Sequence, residues 1–152
     1  MKVLRSVEEV NENQKAILYH KLLKFYKDGL ANKTITLWGL AFKPETDDMR
    51  ESTALVIIEL LLASGCKVNV FDPVAMPECS RRIGDRVTYA TDMYDAVLNS
   101  DALLLLTEWK QFRLPSWGVI HKSMNVPLVI DGRNIYDVNE MQNNGFEYYC
   151  IG

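Results

Sequence analysis

Residues 34–65 read TITLWGLAFKPETDDMRESTALVIIELLLASG. The run 34–38 is short, apolar and β-branched at its start, and it predicts a strand. The run 53–64 is long and apolar, ends at Gly65, and predicts a helix. A strand feeding a helix is the first half of a βαβ unit. The link between them, Gly39 to Ser52, exceeds the roughly two to six residues such connections use. It is also unusually polar, carrying a Phe-Lys-Pro, the adjacent carboxylates Asp47 and Asp48, and Arg50.

The same alternation continues to the end of the chain. Strand-like runs fall at 67–71, 87–90, 102–107, 127–131 and 146–151, and helix-like runs at 75–83, 92–99, 109–123 and 137–144. Pro115 divides the third of these helices, and Asp92 and Asp137 are suited to cap their helices by accepting bonds from orphan amides. The run ALLLLT, 102–107, is apolar at all but its last position, as a strand covered on both faces should be. Strands and helices alternating at this spacing predict a Rossmann-like, doubly wound, mainly parallel sheet. A long helix, residues 4–28, precedes it, with Gly29 placed to end it. Ile17, Leu18, Leu22 and Phe25 give that helix an apolar stripe. Its first half, EEVNENQK (8–15), is too polar to pack by itself and implies a partner from another chain or from further sequence. The expected division is a helical segment over 1–30 and an α/β domain over 31–152.

With 152 residues, the chain is long enough for one domain with a proper core. A net charge of -3 argues against non-specific nucleic-acid binding, which needs a dense basic surface. No apolar run is long enough to span a membrane, and no apolar leader opens the chain. The three cysteines, Cys66, Cys79 and Cys150, form no CxxC and fit reduced thiols in a cytoplasm. None sits in the polar, cationic setting of a catalytic thiol. His20 and His121 read as solvated helix-face residues.

In an open α/β sheet, ligands bind beyond the carboxyl ends of the strands. Gly39–Ser52 occupies that place after the first strand, and the polar DGRNIYD, 131–137, occupies it after a later one. Lys43, Arg50 and Arg133 are thereby directed toward one crevice, beside the helix start near Thr53. Guanidinium groups grip phosphate or carboxylate by paired N–H bonds, and a helix start favours the same charge. The loop carries no GxGxxG, so it lacks the usual pyrophosphate cradle. Two plainer roles stay open: Asp47 and Asp48 can form surface ion pairs with Arg50, and Arg133 can brace a turn through Asp131 or Asp137. The aromatic stretch TEWKQFRLPSW, 107–117, reads as helix packing.

Five blocks in register are specific enough to name a likeness: GLAFKPETDDMRES (39–52), VFDPVAM (70–76), DALLLLTEWKQFR (101–113), DGRNIYD (131–137) and GFEYYCIG (145–152). Together they resemble the C-terminal, nucleotide-sugar-binding domain of the UDP-glucose/GDP-mannose dehydrogenase family, in its bacterial UDP-glucose branch. VNENQK (10–15) resembles the tail of the central helix through which that family dimerises. The resemblance implies oxidation of UDP-glucose to UDP-glucuronate in two NAD-dependent steps, through a covalent intermediate on a cysteine. It places NAD mainly on a separate N-terminal domain and implies a homodimer. By the resemblance, Phe42, Lys43 and Arg133 contact the UDP-sugar and Arg50 reaches the cofactor. The block carrying the family's nucleophilic cysteine is absent, so the resemblance implies no catalytic residue and no turnover by this chain alone. Alternatives are a relative acting on a UDP-N-acetylhexosamine or GDP-mannose, or a stand-alone nucleotide-sugar-binding module.

Overall fold

The computed structural model describes residues 14–151. Six strands, β1 Thr34–Trp38, β2 Lys67–Phe71, β3 Thr88–Tyr89, β4 Ala102–Leu105, β5 Leu128–Asp131 and β6 Glu147–Cys150, form one sheet. Its order is β3-β2-β1-β4-β5-β6, and every pairing is parallel. The helices are α1 Ile17–Phe25, α2 Thr53–Ala63, α3 Met76–Ile83, α4 Met93–Val97, α5 Trp117–Ser123 and α6 Val138–Asn143. The Rossmann-like reading therefore holds, with a sheet parallel throughout.

Alternation along each strand sorts the core into two layers. Ile35, Leu37, Val68, Val70, Leu104 and Ile130 face α1, α2 and α3. Trp38, Phe71, Leu103, Leu105 and Val129 face α4, α5 and α6. All four residues of β4 are buried, which accounts for its unbroken apolar run in a strand covered twice. The aromatic stretch packs as read: Trp109, Phe112 and Trp117 are buried, and Phe112 stacks on Trp38 with ring centroids 4.8 Å apart. Pro115 separates a short 3-10 turn, Lys110–Phe112, from α5. Asp92 and Asp137 cap α4 and α6 as expected, and Ser52 caps α2 by accepting from the Ala54 amide.

The helix expected over 4–28 is shorter at its described end. Residues 4–13 of that reading lie outside the described residues. α1 stops at Phe25, because Tyr26 leaves helical geometry and donates its hydroxyl to the Asp101 carbonyl, 2.6 Å away. Gly29 consequently sits in the turn that follows, at φ 103°, rather than capping the helix. α1 crosses the sheet with Leu18 close to Gly132, at the carboxyl end of β5, and Tyr26 near the opposite end.

Candidate functional site

The chain leaves β1 toward β2 on one side and later returns to β4 on the other. Strand order reverses between β1 and β4, and the loops beyond these two strands meet there. Gly39 has φ 97°, and a Cβ at this position would lie 2.5 Å from Thr107 Cβ. Only glycine allows the two loops to approach this closely.

The next two residues have every backbone polar group engaged. Asp72, wholly buried just beyond β2, accepts from Leu40 N at 2.7 Å and Ala41 N at 3.3 Å through Oδ2. Ser52 Oγ donates to the Leu40 carbonyl, and Thr107 Oγ1 donates to the Ala41 carbonyl, each at 2.5 Å. The same Asp72 Oδ2 accepts from the Trp109 indole N–H at 3.1 Å, and Oδ1 accepts from Val74 N and Ala75 N. One carboxylate thus ties together the loops after β1, β2 and β4. Phe42 emerges next from this anchored backbone, 42% exposed.

Asp131 repeats the arrangement at the end of β5. It is wholly buried and accepts from the amides of Arg133, Asn134, Ile135 and Tyr136 and from the Tyr148 hydroxyl. Burial, and then the bond to Asp131, push the Tyr148 hydroxyl well above its ordinary range. Asn134, at φ 57°, exchanges bonds with both backbone groups of Ile151 and joins this loop to the end of β6. The whole DGRNIYD turn is therefore wound around its first carboxylate.

Arg133 and Phe42 meet at one cavity of about 220 Å³, which reaches Ser52, Thr53 and Ala54 at the start of α2. A second hollow of about 150 Å³ shares Arg133, Thr53 and Leu106 with it and extends to Gln14 and Leu18 on the α1 side. Arg133 Nε donates to Glu108 Oε2 at 2.6 Å; the brace through its side chain is Glu108 rather than Asp131 or Asp137. Lys43 lies beside the cavity, not in its lining, with its ammonium 5.4 Å from the centre of the Phe42 ring. Arg50 lies outside the lining too. It is forked onto Asp48, Nε to Oδ1 at 3.1 Å and Nη2 to Oδ2 at 2.9 Å. That bond holds the Asp48 carboxyl down at about 2 and raises the guanidinium further. The structure thus brings together two of the four residues read from the sequence as binding groups, and it ties a third to a neighbouring carboxylate.

Sequence reasoning passed over Asp72, Thr107 and Glu108. A carboxylate directly after a strand was the available signal for Asp72, which follows β2 as FDP. Asp131 reads from the sequence alone as a brace for Arg133, not as the centre of its loop.

Among the described residues, the β1 loop offers no pyrophosphate cradle. The single glycine of the β1 loop is pressed against Thr107, so no open backbone remains there to receive a pyrophosphate. Among the described residues, no cluster of three His, Cys, Asp or Glu could hold a metal ion. No helix of the described residues is long and apolar enough to cross a membrane. Cys66 and Cys79 are buried; burial pushes the Cys66 thiol up to about 11 and raises Cys79 as well.

An all-parallel sheet in this order, with anchored polar loops over its switch point, defines a doubly wound domain of the nucleotide-binding type. More narrowly, the chain belongs to the UDP-glucose/GDP-mannose dehydrogenase family, whose UDP binding domain matches residues 36–138. It is 44% identical over 155 residues to UDP-glucose 6-dehydrogenase of Pseudomonas aeruginosa, an alignment covering 99% of this chain and 34% of that protein. The UDP-glucose dehydrogenase structure from Pyrobaculum islandicum superposes with a TM-score of 0.75 at 29% identity, over 99% of this chain and 31% of that one. UDP-D-ManNAc dehydrogenase of Pyrococcus horikoshii gives 0.71 at 28% identity, over 98% and 32%. The chain spans about a third of the length of the relatives it matches.

Proposed function

We propose that this chain is the nucleotide-sugar-binding portion of an NAD-dependent UDP-glucose 6-dehydrogenase. Its division of labour puts residues 31–152 on the UDP-sugar and assigns the segment 1–30, to which α1 belongs, to joining two subunits of a cytoplasmic homodimer. The observation that carries the reading is the meeting of Phe42 and Arg133 at one cavity over the start of α2. Exposed guanidinium nitrogens and the positive end of a helix favour a diphosphate there. Phe42 supplies an aromatic face, and Lys43 adds a mobile cation beside it, toward the reacting end of the sugar. A cation at that end favours an alkoxide or carboxylate as it develops. Arg50, on the outer arm of the same loop, is the group assigned to NAD held by a separate domain, and it must give up its fork onto Asp48 to reach the cofactor. NAD, when bound, supplies the hydride acceptor; this chain's residues bind and orient the sugar nucleotide. Buried Cys66 and Cys79, and Cys150 on the edge strand β6, serve structure, and the nucleophilic thiol lies elsewhere in the full protein.

The likeness to UDP-D-ManNAc dehydrogenase supports a second reading, a relative that oxidises a UDP-N-acetylhexosamine. Both readings require uridine recognition. Titrating the isotope-labelled chain with UDP and with GDP tests it: amide shifts with UDP should concentrate in 39–54 and 131–137. Equal response to GDP, or shifts spread elsewhere, would refute the placement of the site.

A further inference from the structure

We propose that Glu108 is a positioning residue for Arg133, holding its guanidinium so that both terminal nitrogens face the nucleotide; this rests on the nucleotide-sugar reading above. The Arg133 backbone is already placed, because its amide and the three that follow all donate to Asp131. Its side chain is long, flexible and 44% exposed, so a fixed backbone alone does not fix the charge. The one side-chain bond it makes among the described residues is Nε–H to Glu108 Oε2, at 2.6 Å.

Glu108 is itself well held. It lies between Thr107, bonded to the Ala41 carbonyl, and Trp109, bonded to Asp72, and its side chain is only 18% exposed. Arg133 lines both hollows, whereas Glu108 lines neither. The carboxylate therefore holds the guanidinium from outside the lining of both hollows. It occupies Nε and leaves Nη1 and Nη2 with no hydrogen-bond partner among the described residues. A carboxylate competing with the ligand would instead occupy the terminal nitrogens from the cavity side. Ordering an arginine in advance removes part of the entropy that a ligand must otherwise overcome.

The test is a double-mutant cycle read by calorimetric titration of UDP into the full-length protein. Glu108→Ala should weaken UDP binding by about three- to tenfold, the range for one rotamer-rich side chain left to be ordered on binding. In an Arg133→Ala background the same change should have no effect. Glu108→Gln, which keeps an acceptor oxygen, should restore most of the affinity. Unchanged or tighter binding by Glu108→Ala, with Arg133→Ala weakened, would overturn the positioning role alone. Equal weakening in both backgrounds would also overturn it, since Glu108 would then act other than through Arg133. Full UDP affinity in Arg133→Ala would overturn the nucleotide-sugar reading and, with it, this one.

Discussion

Replacing Asp72 by Asn changes one oxygen to an amide while keeping size and shape, and the geometry around Asp72 sets the consequence. In the native structure Oδ2 receives Leu40 N, Ala41 N and the Trp109 indole, while Oδ1 receives Val74 N and Ala75 N. An asparagine has one acceptor oxygen, so one of these two sets must face an NH₂ group. The less costly orientation keeps the oxygen on the set of three and opposes the other two. Val74 is 48% exposed, and water can satisfy its amide, but Ala75 is wholly buried. A buried donor left unsatisfied costs about 1–3 kcal/mol, and three charge-assisted bonds weakened to neutral ones lose about 1 kcal/mol each. Relief of a buried charge offsets part of this, so the expected loss is about 2–4 kcal/mol. That is a large share of the roughly 5–15 kcal/mol that holds a typical domain folded. Urea unfolding followed by far-ultraviolet circular dichroism is the right assay, because Trp109 fluorescence would respond to the substitution itself. The midpoint should fall by about 1–2 M at an unchanged slope. The Ala75 amide, left facing the NH₂ group, should lose hydrogen-exchange protection before the amides of β1 and β2. A midpoint within about 0.3 M of the parent would refute the claim that this carboxylate holds the three loops together.

Gly39→Ala meets both a positive φ and a Cβ contact of 2.5 Å with Thr107, so thermal unfolding should show a loss above about 2 kcal/mol. Gly118→Ala, at a helical position with nothing within 4 Å of the added carbon, should instead raise stability by about 0.4–1 kcal/mol in the same measurement. The raised Cys66 thiol stabilises the fold below its unfolded value of about 8.5, and that contribution is lost as pH rises through about 11. Mass spectrometry after alkylation at pH 8 should therefore find Cys66 and Cys79 unmodified in the native protein and modified in urea.

Local pattern sufficed for most of the architecture, because each strand and helix announces itself by its own spacing. TITLW and KVNVF became β1 and β2 with unchanged ends. Strand order was out of reach, since which strands pair depends on contacts between residues far apart in the chain. The end of α1 was misplaced for a similar reason: Tyr26 is drawn out of the helix by the carbonyl of Asp101, 75 residues away. The candidate site was legible as a place, through long polar loops after apolar strands. Its internal division was not. Phe42 and Arg133 come to a common cavity, whereas Arg50 folds back onto Asp48, a choice between neighbouring ions that spacing alone leaves open. Asp72 is the plainest case, because one carboxylate after a strand reads the same whether it faces solvent or five donors.

The two-layer core also makes the protein optically one-sided. All three tryptophans, Trp38, Trp109 and Trp117, belong to the layer that faces α4, α5 and α6. The layer under α1 and α2 contains none. Indole emission therefore watches one half of the molecule, and fraying of α1 or α2 would pass unseen by it. Trp109 is the exception within its own layer, because its indole is bonded to the carboxylate that ties the loop cluster together. In a protein with Trp38 and Trp117 replaced, its emission would serve as a label-free gauge of how those loops settle around a guest.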